Sequence, residues 1–175
     1  MQAVQMKKVL LALGASLLLA NAWAVKPSED AINACLKLDG SGRATYSKID
    51  TTEFQSEDKF KGGYQATLFS DKGQRIGYAE KSGKDDALIW GRWLVPLASA
   101  LPFNDKADVP SEFTPMLAMW GYVRDGKQRL LCVNFNFDGI GRSGSFQKVH
   151  GLYLMPIRSS NKTKPALYFG VRELP

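Results

Sequence analysis

Any neutral-pH proton chemistry that needs an imidazole in this chain must run through one residue. His150 is the only histidine, and histidine is the side chain whose ordinary pKa lies nearest neutrality. Asp138 and Ser143 lie just upstream, so the three residue types of a nucleophilic triad occur within one short stretch. The elbow spacing G-x-S-x-G is incomplete, because Gly141-Arg142-Ser143-Gly144-Ser145 ends on serine. On a strand, His150 shares a face with Lys148 and Leu152, the setting of a half-exposed structural histidine. A cell-envelope hydrolase using His150 is therefore the alternative reading and not the first.

The same loop spells Gly139-Ile140-Gly141-Arg142-Ser143-Gly144, formally G-x-G-x-x-G. A dinucleotide loop must open a helix whose N-terminus meets the pyrophosphate, with an acid about 20 residues on for the ribose. Here the following segment contains Val149, Gly151, Tyr153 and Pro156, a strand composition, and no acid occurs between Arg142 and Glu173. Read as a calcium loop from Asn134, Asn136, Asp138 and Gly139, position 12 falls on Ser145, where the ion needs a bidentate glutamate. Two cysteines 97 positions apart (132 − 35) and one histidine make no zinc spacing. No cofactor and no metal are expected.

Binding candidates are aromatic or charged. Trp90 and Trp93, three apart on one expected strand, point to opposite faces, so one is expected to join Trp120 in the core; the other is either core as well, the default for both, or a stacking or docking anchor. The connection over 103–115 is long for a compact domain and carries Asp105, Asp108 and Glu112. Arg142 is the loop-tip cation of the glycine loop. With His150, these residues (Trp90, Trp93, Asp105, Asp108 and Arg142) are the candidate contact set.

What must position them is a hairpin over 116–138 with Asp125-Gly126 as its expected tip, since Asp-Gly between apolar runs is a strong hairpin signal. Its second arm alternates. Leu131, Val133, Phe135 and Phe137 share a core face, while Leu130, Cys132, Asn134 and Asn136 share a half-covered one. Further strands are expected over 44–49, 64–70, 74–81, 87–95, 145–157 (bent at Gly151) and 166–174, with a polar connection over 51–61 and a helical turn over 96–101. One helix is expected over 28–38, capped by Ser28, with Ile32, Cys35 and Leu36 on one face and Gly40 and Gly42 ending it. The fold class is mostly β, at the margin of α+β: about eight antiparallel strands in a barrel or sandwich with one N-terminal helix.

The first 24 residues look like an export leader. Lys7 and Lys8 precede an apolar run over 9–20, and Ala22-Trp23-Ala24 is an A-x-A cleavage site. Residues 25–175 then form a single β-rich domain, with no stretch able to cross a bilayer as a helix. Of 23 basic residues two leave with the leader, so 21 face 17 acidic ones, a net of +4 without a run of like charge. That balance does not call for nucleic acid. In an oxidising compartment Cys35 and Cys132 pair as a disulfide. The expected protein is periplasmic or secreted, a non-catalytic binding or inhibitor module whose partner is a protein or envelope polymer. A barrel carrier for a small apolar ligand is a further alternative.

Overall fold

The structure, a computed structural model, describes residues 25–83, 85–103, 110, 113–136, 148–157 and 163–174. It opens on helix α1, Glu29–Lys37. Ser28 caps it, accepting from the Ala31 N–H at 3.1 Å, and Glu29 and Asp30 lie at the positive end of the helix dipole. Ala31, Ile32, Ala34, Cys35 and Leu36 are buried. The end of the helix is not set by Gly40 or Gly42. Leu38 takes the left-handed conformation (φ 55°), and the Asp39 N–H donates to Ala34 O at 3.3 Å. A leucine holds that backbone because the last turn is tied down from the neighbouring sheet.

Eleven strands follow among the described residues: β1 Ala44–Lys48, β2 Phe54–Phe60, β3 Tyr64–Asp71, β4 Gln74–Glu80, β5 Ala87–Trp90, β6 Trp93–Pro96, β7 Leu101–Pro102, β8 Met119–Asp125, β9 Gln128–Asn136, β10 Val149–Pro156 and β11 Tyr168–Glu173. They form two open sheets, ordered β1-β8-β9-β10-β11-β7 and β2-β3-β4-β5-β6. The sheets do not close into a barrel; they face each other as a sandwich, and α1 covers the far side of the six-stranded one. All pairings are antiparallel except the two-residue β7–β11 pairing, which is parallel.

Three strands exceed the expected eight. β2 lies in the stretch read as a polar connection, where its side chains are mostly exposed and its backbone pairs with β3 at the sheet edge. Charges such as Glu57, Asp58 and Lys59 suit an edge that must not recruit another strand. β7 adds the second. The third arises because 87–95 is not one strand. Gly91 (φ 57°) and Arg92 turn the chain, and Trp90 stands directly opposite Trp93.

The central hairpin is shifted by one residue from its expected tip. Asp125 pairs with Gln128, so the turn residues are Gly126 and Lys127, with Gly126 supplying the positive φ (56°) at the first position, as a type II′ turn requires. Asp125 stays in the strand because its buried carboxylate is engaged there: Ser28 Oγ donates to it at 2.5 Å and Arg43 Nε at 2.9 Å.

The faces of β9 follow the alternation. Leu131, Val133 and Phe135 enter the core between the sheets; Leu130 and Cys132 pack beneath α1. The middle of the second face is buried and not half covered, since Leu130, Cys132 and Asn134 are at most 1% exposed, while Asn136 at the strand end is exposed. Phe137 lies outside the described residues. Between the sheets Phe113 stacks on Phe135 (5.0 Å), Phe135 on Tyr153 (5.8 Å), and Tyr153 packs on Phe169 (4.8 Å). Gly151 is directly opposite Phe135, and a Cβ there would fall 2.3 Å from the ring. The glycine expected to bend the strand thus makes room for an aromatic ring.

Candidate functional site

The structure disperses the predicted contact set. His150 lies on β10, opposite Asn136 on one side and Arg172 on the other. Its Nδ1 is 2.6 Å from Asn134 Oδ1. The Asn134 amide nitrogen is committed elsewhere, donating to the carbonyls of Cys35 (2.9 Å) and Leu36 (3.0 Å). Its oxygen must therefore accept, and the proton of this bond belongs to His150 Nδ1. The imidazole and the amide together tie the last turn of α1 to β9 and β10. Both cysteines are joined in the disulfide, with Cα atoms 5.8 Å apart, so the His150–Asn134 pair orients no thiol nucleophile. Asp138 and Ser143 lie outside the described residues.

Trp90 and Trp93 share one face, because a two-residue turn separates them. Trp90 is buried, edge-on to Tyr122 at 6.5 Å. Trp93 is half-buried against the same core, with the Arg92 guanidinium 5.0 Å from its ring. Trp120 is 1% exposed, and its indole N–H donates to Pro115 O at 3.3 Å. Asp105, Asp108, Arg142 and the glycine loop over 139–144 lie outside the described residues.

Two hollows not anticipated from the sequence lie at opposite ends of the β3–β4 hairpin. Six residues of extended chain separate them, about 20 Å. The first is a cleft of about 720 Å³ with the carboxylates of Asp58, Glu80 and Asp86 along its wall, beside Gln65, Lys81 and Ser82. Tyr78 donates its hydroxyl to Asp86, and Phe113 packs on the Tyr78 ring at 5.1 Å. Lys81 Nζ donates to Gly62 O at 2.6 Å. Among the described residues no three His, Cys, Asp or Glu side chains are grouped to hold a metal. The carboxylates line the wall and do not converge on a point.

The second hollow, about 290 Å³, lies where the β3–β4 and β8–β9 hairpins meet, lined by Thr45, Ser47, Lys72, Tyr122, Arg124 and Arg129. Arg129 stacks on the Tyr122 ring at 3.9 Å. Burial, and then the hydrogen bond from its hydroxyl to Asp71, push the Tyr122 phenol well above its ordinary value. The sequence carried a signal for this end of the molecule. Arg124 and Arg129 lie on either side of the Asp-Gly turn signal, but only about a tip at 126–127 are they symmetric and face each other; a tip at 125–126 would set Arg124 against Lys127.

Comparison with protein-family models, with curated proteins and with solved structures finds no match to this chain.

Proposed function

We propose that this chain is a non-catalytic binding module of the periplasm or of secreted material, which inhibits or tethers another envelope macromolecule. The observation that carries the proposal is the separation of charge along one hairpin. Carboxylates gather at one end of β3–β4 and cations at the other, each in an open hollow. Complementary charge on a fixed scaffold steers and orients a macromolecular partner, and it requires no reacting group. A buried disulfide supports an oxidising compartment. No helix among the described residues is long and apolar enough to cross a membrane.

The test uses the oxidised chain from Val25 onward, immobilised and exposed to solubilised envelope material, with retained components identified by mass spectrometry. One component should be held saturably, released by salt and recovered chemically intact. Recovery of that component in cleaved form would overturn the reading in favour of the hydrolase. Sequencing the protein from a periplasmic fraction should give Val25 as its first residue; an intact Met1 chain confined to the cytoplasm would remove the export reading.

A further inference from the structure

We propose that the hollow between the β3–β4 and β8–β9 hairpins is a binding site for a tetrahedral oxyanion, a phosphate or sulfate ester borne by an envelope molecule. The proposal deepens the binding-module reading, on which it rests, by naming the chemistry of the ligand.

Register builds the site. Arg124 and Arg129 are direct partners in the β8–β9 ladder, and Thr45 is the partner of Arg124 on the other side. Tyr122 and Leu131, two residues away from each arginine, point into the core between the sheets. Alternation places both arginines on that same face, just beyond the point where the core ends. Cβ atoms of directly opposed residues are about 5 Å apart, and like charges so placed destabilise a sheet. From the other sheet, Lys72 enters at the tip of β3–β4 with φ 49°, a left-handed conformation uncommon for lysine. Three cations from two sheets therefore converge on one groove.

No ion pair among the described residues engages them; the pairs formed involve Arg43 and Arg75, not Lys72, Arg124 or Arg129. The nearby carboxylate, Asp71, accepts from the Tyr122 hydroxyl and keeps its charge, but it does not line the hollow. The Arg129 guanidinium carbon lies over the Tyr122 ring, 3.9 Å from its centroid, a contact that restricts the side chain before any ligand arrives. Thr45 and Ser47 add hydroxyl donors on the β1 side. Two guanidinium groups, an ammonium and two hydroxyls form a donor set without an acceptor charge, complementary to an anion with several oxygens. All five of these side chains are exposed, so the groove admits an ester that is part of a larger molecule. An anion lodged between Arg124 and Arg129 turns the repulsion of the free protein into binding energy.

The experiment measures thermal unfolding of the oxidised chain at low salt with three probes: inorganic pyrophosphate, long-chain polyphosphate, and phosphatidylcholine vesicles with and without phosphatidylglycerol, the vesicles also scored by co-sedimentation. At least one probe should bind saturably and raise the melting temperature by mass action on the folded state, with the gain falling as salt is added. The probe that binds tightest identifies the source: free anion, polymer or lipid headgroup. Arg124→Thr should weaken binding at least tenfold. The unliganded variant should melt no lower than the parent, because a like-charge pair has been removed. Lys72→Asn, suited to a left-handed turn position, should weaken binding without disturbing the turn. Lys127→Gln, a turn cation outside the hollow, should change nothing. Absence of binding by all three probes overturns the site, as does a shift that survives Arg124→Thr and Lys72→Asn unchanged. A parent chain that captures an envelope component yet binds none of the probes overturns the groove and leaves the binding-module reading standing. A chain that binds a probe through these residues but captures no envelope macromolecule keeps the groove and overturns that reading.

Discussion

Asn134 holds together three elements that its place in a strand pattern does not mark. It is 1% exposed, caps two carbonyls at the end of α1 and accepts from His150. Asn134→Ala leaves those buried carbonyls without a donor, a loss expected to cost about 2–3 kcal/mol. Asn136→Ala, two residues on and exposed, should stay within about 0.5 kcal/mol. Phe135→Ala removes a ring stacked between Phe113 and Tyr153 and should cost about 3–5 kcal/mol. Denaturant midpoints of the three variants at unchanged slope check the ranking. If Asn134→Ala matched Asn136→Ala, water would be replacing the amide.

At the scale of elements, α1 is clamped at its N-cap and twice in its last turn. Asp125 holds its N-cap serine, the disulfide joins Cys35 to Cys132, and Asn134 takes its last carbonyls. Closing a loop of 97 residues is worth about 4–5 kcal/mol in the chain-entropy model. Cys132→Ser should therefore lower stability by a few kcal/mol, with the helix still docked through Asp125 and Asn134. Chemical unfolding followed by far-ultraviolet circular dichroism separates the two effects: the midpoint should fall while the native helical signal persists. Titration of the denatured, unreduced parent should find no free thiol; two would mean that packing alone holds the helix.

At the scale of the whole molecule, buried and half-buried phenols set an alkaline limit on stability. Tyr122, Tyr46 and Tyr168 all have raised pKa values, in each case with burial as the first cause. A phenol with a raised folded-state pKa stabilises the fold fully below its unfolded value of about 10, and that contribution is lost as pH rises through the folded value. The free energy of unfolding should thus be flat in this contribution up to about pH 10 and decline above it. Tyr122→Phe should make the decline shallower. Urea titrations at a series of pH values read the slope directly, and an unchanged slope in Tyr122→Phe would remove this phenol from the account.

Local patterning was enough to mark the two faces of β9, the extent of α1, the β3–β4 hairpin and the pairing of the two cysteines. Each rests on a short-range rule: period-two burial, a capping serine with acids behind it, a glycine in a tight turn, or the arithmetic of two thiols. The same patterning could not reveal β2, because periodicity records burial and an exposed edge strand has no buried face to record. It merged β5 and β6, since two apolar strands joined by a glycine turn carry the same apolar residues as one long strand. Above all, it could not set the register of the central hairpin. Asp125 fits a turn by propensity, and only its contacts with Ser28 and Arg43, 97 and 82 residues away, hold it in the strand. That one-residue shift decides that Arg124 faces Arg129. The packing of the two sheets then brings Lys72 to them, a juxtaposition that long-range contacts alone create.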